Sequence, residues 1–400
     1  MINYIFVQES DIRMLYKNKL YKQTEGFGYG LDNNTVIHAF LKQPRVVPSG
    51  NTMKATFQLC DIKEFRNNAI IPLADAVNLV FAIDEDGYLK HDVYSSGTNK
   101  SDSFEIKFIP EQSELYSRSK GLLETDVLKN KTVGIVGLGS GGSPIAIELA
   151  KAGIGKFVLI DFDRLELSNV ARHVCGVNDL GRFKTFAVRD YILQKNPYAD
   201  VTTFEIDVNE HREICSKALS KVDIIIAASD NDKSRFLLND LALKFDVPAI
   251  FGRAITRAIG GDVLRVRPRI GPCYNCLYSQ DLRNTEEEIS QKERQAKKFL
   301  PDYTSEDSLN AVVQVGLASD IAPITNFMIK LALVELSRGT NSGISSLEDD
   351  LVADFYIWAN RREYVYEDWS KLEYNFNKPS ILRWYGAKVS KDPDCMSCGY

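Results

Sequence analysis

Residues 131–184 constrain this chain more than any other part of it: KTVGIVGLGSGGSPIAIELAKAGIGKFVLIDFDRLELSNVARHVCGVNDLGRFK. A buried-strand pattern over Thr132–Val136 runs into a glycine cluster, then into a helix pattern with apolar residues at Ile145, Leu149 and Ile154. A second apolar run, Phe157–Ile160, ends on Asp161. Strand, glycine turn, helix, strand and terminal acid predict a nucleotide-binding βαβ unit. Gly137 permits the tight turn, and Gly139 and Gly141 remove side chains that would block a phosphate. The helix behind them offers unpaired N–H groups and the positive end of its dipole. Asp161 is placed to accept hydrogen bonds from a ribose. These features alone describe a dinucleotide dehydrogenase, but the residues after Asp161 argue against one.

Asp163 adds a second acid where a dehydrogenase needs one. Ser168, Asn169 and Arg172 follow, then Lys184. Arg172 and Lys184 bring two cations to a phosphate-binding turn, as a triphosphate requires. The run from Val222 to Asn231 reads as a buried parallel strand with Ser229, Asp230 and Asn231 at its carboxyl end. Ligands of open α/β sheets bind at such ends. A carboxylate there suits Mg²⁺ held against phosphate oxygens.

The remaining sequence sets the frame. At 400 residues, 44% apolar and 26% charged, the chain has room for two domains, one with a large core. A net charge of −5 gives no electrostatic case for nucleic acid or an anionic membrane. No apolar run approaches the roughly 20 residues of a membrane span. The start, MINYIFVQESDIRM, lacks the pattern of a signal peptide. Four of the seven cysteines fall in two CxxC pairs, the usage of a reduced compartment, so a cytoplasmic protein is expected.

Residues 1–110 carry short apolar or alternating runs separated by turn signals, and read as a small α+β domain without a catalytic motif. Cys60 sits between apolar neighbours as a structural thiol, and His38 and His91 lack companions at metal-ligand spacing. Such a domain could serve to recognise a protein or peptide. Residues 111–400 form the second domain, with a helical lead-in over 111–130. Helix 185–195, strand 201–206, helix 233–245 and strands 248–252 and 263–267 give a doubly wound sheet that turns antiparallel. The charged stretch 281–307 reads as a solvated helix or loop. Residues 311–336 read as an apolar helix, kinked near Pro323, for the core or a subunit interface, and 351–358 as a late strand. Cys273 and Cys276 with Cys395 and Cys398 suit a closed, structural Cys₄ zinc site. A redox role is disfavoured, because the pattern predicts that neither pair opens a helix after a buried strand.

Residues 111–400 resemble the ThiF, MoeB and HesA adenylating enzymes, relatives of the ubiquitin-activating enzymes. The resemblance rests on Tyr116-Ser117-Arg118, GLGSGGS, Asp161-Phe162-Asp163, Ser168-Asn169 with Arg172, Lys184, Ser229-Asp230-Asn231 and both cysteine pairs. It implies a Rossmann-like adenylation domain that uses Mg·ATP to couple AMP to the C-terminal carboxylate of a small ubiquitin-like or sulfur-carrier protein or a peptide, releasing pyrophosphate. By the same resemblance Asp161 holds the ribose, Asn169 contacts the nucleotide, Arg172 and Lys184 bind phosphates, and Asp230 coordinates Mg²⁺. Arg118 would cross a homodimer interface to the partner's ATP. The pattern departs from thioester-forming members, since no cysteine lies between Cys276 and Cys395. Catalysis is therefore expected to stop at the acyl-adenylate, with Cys175 or a partner's cysteine as the alternative acceptor.

Two other readings stay open at this point. A Rossmann oxidoreductase would use the glycine loop and Asp161 but leave Arg172, Lys184 and the cysteine pairs without a task. A binding scaffold of the same fold would leave competent nucleotide residues unused.

Overall fold

In the computed structural model residues 3–45, 47–66, 73, 76–87, 89–94, 104–109, 115–255, 258–278, 316–362 and 381–399 are described. The expected domain boundary at 110 and 111 falls outside them. By its internal contacts the chain divides into Met1–Ser117 and Arg118–Tyr400.

The first unit holds β1 (Asn3–Gln8), α1 (Glu9–Lys17), β2 (Thr24–Leu31), β3 (Val36–Phe40), β4 (Asn51–Leu59), α2 (Ile62–Arg66), β5 (Ala76–Ile83), β6 (Leu89–Tyr94) and β7 (Phe104–Ile109). They make one mixed sheet in the order β6-β5-β4-β2-β3-β1-β7. Alternation along β1 sends Ile5 and Val7 into a core shared with Ile12 and Leu15 of α1. Cys60 packs with Val80, Ala82 and Tyr94. Burial, reinforced by Glu64, Asp61 and Asp92, pushes its thiol up to about 11, so it is inert at neutral pH. His38 lies between the rings of Phe6 and Phe40, and burial lowers its pKa.

The second unit is built on β8 (Thr132–Val136), α3 (Gly142–Lys151), β9 (Lys156–Ile160), α4 (Leu167–Val170), α5 (Lys184–Lys195), β10 (Asp200–Phe204), α6 (Arg212–Leu219), β11 (Ile224–Ala227), α7 (Asp232–Phe245), β12 (Ala249–Ala254) and β13 (Gly260–Val266). It continues with α8 (Tyr274–Tyr278), α9 (Ala318–Leu336), β14 (Phe355–Ala359) and β15 (Arg383–Ala387). The sheet order is β10-β9-β8-β11-β12-β13-β14-β15. Strands from β10 to β12 pair in parallel, and β13, β14 and β15 join antiparallel, as the sequence pattern predicts. The continuous apolar runs follow from burial on both faces. Ile224 and Ile226 of β11 enter the core on one face, and Ile225 and Ala227 enter the core on the other. Each isoleucine so buried contributes about 1.5–3 kcal/mol.

Chain order leaves β8 with β9 on one side and β11 on the other. The connections leave these neighbours in opposite directions, which opens a crevice at the strands' carboxyl ends. Asn231 caps α7 at that crevice: its side-chain oxygen accepts the Ser234 N–H at 2.9 Å.

Several elements differ from the sequence expectation. The lead-in is barely helical among its described residues, with a 3₁₀ turn over Ser117–Ser119 and one α-helical turn over Thr125–Leu128. The helix α9 carries Pro323 inside it, past the first turn where a missing N–H would cost no bond. Its apolar residues Ile324, Met328 and Leu331 are spent on the unit's own core. The charged stretch 281–307 and residues 311–315 lie outside the described residues. Among the described residues no helix is long and apolar enough to cross a membrane.

Candidate active site

Gly137 ends β8 with φ +87°, and a Cβ there would meet the Ala228 carbonyl oxygen at 2.6 Å. Only glycine lets the loop bend this close to the end of β11. Gly139 has open space where a side chain would stand, and it faces a cavity of about 340 Å³. No hydrogen bond from the N–H groups of Gly139, Ser140 or Gly141 is present among the described residues. The loop thus presents donors beside the N-terminus of α3, the arrangement that receives a phosphate.

Gly137, Gly139, Gly141, Asp161, Asp163, Asn169, Arg172, Lys184, Asp230 and Asn231 all line this one cavity. Arg118 does not; it is exposed on the turn Ser117–Ser119.

Asp161, at the end of β9, is nearly enclosed. One oxygen accepts the Leu138 N–H at 2.6 Å, and the other accepts the Asp163 N–H at 2.8 Å. Burial raises its pKa, and nearby Lys184 opposes that shift. Each oxygen keeps a lone pair for a further donor, so Asp161 shapes the loop as well as lining the cavity. Lys184, buried at the start of α5, donates to Asp163 Oδ2 at 2.9 Å. Asn169 accepts the Glu166 N–H through its side-chain oxygen, which keeps its amide N–H groups available. A smaller cavity of about 90 Å³ shares Ser140, Gly141, Arg172, Ser229 and Asp230 with the first. Its other walls include Arg235, Arg253, Gly252, Ile321 and Met328.

His173 also lines the main cavity, and sequence reasoning passed over it. Its place directly after Arg172 gave no pattern to read. Asp207 and Asn209, beyond β10, were likewise missed.

The four cysteines of the two pairs converge. The sulfurs of Cys273 and Cys276 are 3.8 Å apart, those of Cys273 and Cys395 3.6 Å, and those of Cys276 and Cys398 3.4 Å. All four lie within 4.8 Å of one another. A tetrahedral metal with Zn–S bonds of about 2.3 Å places its sulfurs about 3.8 Å apart. The donor set therefore fits a zinc-like ion. Cys273 does head the short helix α8, contrary to the sequence expectation, but only after the turn that follows β13. Four converging sulfurs, rather than the helix, set this site apart from a redox pair. Cys175 is buried with its thiol pushed up to about 12, chiefly by burial, and Cys215 is buried and shifted likewise.

The ThiF family model matches residues 112–338. This chain belongs to the ThiF family. Its curated ThiF relatives include the adenylyltransferase and sulfurtransferase MOCS3 of Aedes aegypti, 33% identical over 169 residues, 41% of this chain and 38% of that protein. The adenylyltransferase and sulfurtransferase UBA4 of Candida albicans is 32% identical over 162 residues, 40% of this chain and 36% of that protein. The match thus spans well under half the length of these relatives. Among solved structures, E. coli MccB with ATP superposes at TM-score 0.43 and 19% identity, covering 69% of this chain and 68% of that chain.

Proposed function

We propose that this ThiF-family chain is an adenylating enzyme that couples AMP from Mg·ATP to the C-terminal carboxylate of a small ubiquitin-like or sulfur-carrier protein, or of a peptide. One observation carries the reading: glycine loop, ribose-side acid, two cations and the Asp230 carboxylate line a single cavity at the sheet's reversal point. The MOCS3 and UBA4 relatives, both named as adenylyltransferases, support it.

In this reading the glycine-loop N–H groups, Arg172 and Lys184 neutralise the phosphates. Asp161 and Asn169 fix the sugar. The acyl carboxylate approaches the α-phosphorus from the smaller cavity beside Asp230, and pyrophosphate departs along the cations. A C-terminal carboxylate is ionised at neutral pH, so no general base is required. Positioning and charge neutralisation supply the acceleration. Asp230, an oxygen donor on the cavity wall, fits Mg²⁺, which when bound would balance phosphate charge. The four cysteines would hold zinc in a closed site without an open coordination position, a structural role. Arg118, exposed and off the wall, suits a homodimer in which it serves the partner's cavity. Cys175 and Cys215 are poor acyl acceptors, being buried and protonated, so the reaction ends at the acyl-adenylate.

ATP–pyrophosphate exchange with candidate small proteins and peptides, added singly, tests this. Exchange that needs Mg²⁺ and one candidate, and is lost in Asp230→Ala, is the expected result. A chain that binds no Mg·ATP overturns the reading.

A further inference from the structure

The backbone of Leu138 is held at both its N–H and its carbonyl. Its N–H donates to Asp161 Oδ2 at 2.6 Å, and its carbonyl oxygen lies 2.7 Å from Nε2 of His173. The other ring nitrogen, Nδ1, accepts the Cys175 N–H at 3.0 Å. A ring nitrogen that accepts from an N–H carries no proton, so the proton sits on Nε2 and donates to Leu138. The ring is thus held in one tautomer between two backbone groups.

The Leu138 carbonyl belongs to the peptide whose other end is the Gly139 N–H. In a planar trans peptide the two point in opposite directions, so fixing one fixes the other. Gly139 borders the nucleotide cavity, and its N–H makes no hydrogen bond among the described residues. His173 is also bonded directly to Arg172 in the chain. The same ring therefore sets the glycine loop and the segment that carries the cation at one mutual distance.

We propose that His173 is a positioning residue for the phosphates: it orients the Gly139 N–H and registers Arg172 against it. This rests on the reading of the cavity as an ATP site. The ring acts through Leu138 and touches no phosphate itself. Its ε position is the one that matters, because that nitrogen holds the carbonyl.

Glutamine and asparagine separate the two ring positions. A glutamine amide reaches the place of Nε2 and can donate to Leu138; an asparagine amide reaches only the place of Nδ1. Titration of the full chain with Mg·ATP, alongside the thermal midpoint of each variant, tests the proposal. Expected is an affinity loss of about fivefold to tenfold in His173→Asn and a loss of no more than about twofold in His173→Gln. The two variants should keep similar midpoints. Equal affinities in both variants, or losses that simply follow the midpoints, would overturn it. If the unaltered chain binds no Mg·ATP, the ATP reading itself falls. If that chain binds and His173→Asn binds equally well, only the role of His173 falls.

Discussion

Lys184 and Asp163 form an ion pair, Nζ to Oδ2 at 2.9 Å, on the wall of the nucleotide cavity, with the lysine side chain only 9% exposed and the aspartate 32%. A carboxylate thus holds the buried ammonium in place, two residues beyond the acid that the proposed function gives to the ribose. Lys184→Ala should lower exchange activity about 100-fold, since the lost charge acts on the developing phosphate charge. Asp163→Ala should instead act on the fold, because it removes the hydrogen-bonded partner of a buried cation at a cost of about 1–3 kcal/mol. Exchange rates and thermal midpoints for the two variants separate these effects.

The cysteine cluster predicts one zinc per chain by elemental analysis. Cys395→Ser should lower the metal content and the thermal midpoint together, and a strong chelator should reproduce both changes without substitution. Retained stability in a metal-free preparation would deny the site a structural role.

Acid sensitivity should trace to His173. Burial above all, and Lys184 to a lesser degree, hold its pKa down to about 4 from 6.5, against the upward pull of its bond to Leu138 and of Asp179. The unfolded chain takes up a proton as pH falls through 6.5, whereas the folded chain resists until about pH 4. Stability from this group is therefore intact above 6.5 and falls as pH drops towards 4, by at most about 1.4 kcal/mol per pH unit. Asp161 shifts in the opposite sense, but it does so with or without His173 and cancels in a comparison. Thermal midpoints of the unaltered chain should fall more steeply between pH 7 and 4.5 than those of His173→Gln.

The Arg265 side chain, 2% exposed, bonds Asp354 at 2.8 Å and also pairs with Glu348. Together with Arg267 it fastens β13 to the segments around β14. Arg265→Met should destabilise the second unit by about 1–3 kcal/mol, because Arg267 still pairs with both acids and only the hydrogen bonds made by Arg265 are lost, read as a lower denaturant midpoint.

Much of this arrangement was legible in the sequence because local rules agree with the fold there. The apolar runs at β8, β9 and β11 are continuous since both faces of the sheet are covered, and the strand-end acids follow from the same periodicity. Gly137 could be assigned to a tight turn from composition alone, but its contact with Ala228 is a tertiary fact. His173 was not legible. Its role depends on two backbone groups, one 35 residues away, and a single histidine after an arginine carries no pattern. The lead-in over 111–130 misled for a related reason: its local pattern suits a helix, yet among its described residues the α-helical turn is Thr125–Leu128.

The cysteine pairs stand 122 residues apart in the chain yet touch through their sulfurs. During synthesis, the glycine loop, Asp161, Lys184 and Asp230 all leave the ribosome long before Cys395 does. The strands that shape the nucleotide crevice can associate early, but the cluster that joins α8 to the later chain must wait for the second pair. Completion of this unit is therefore timed by translation.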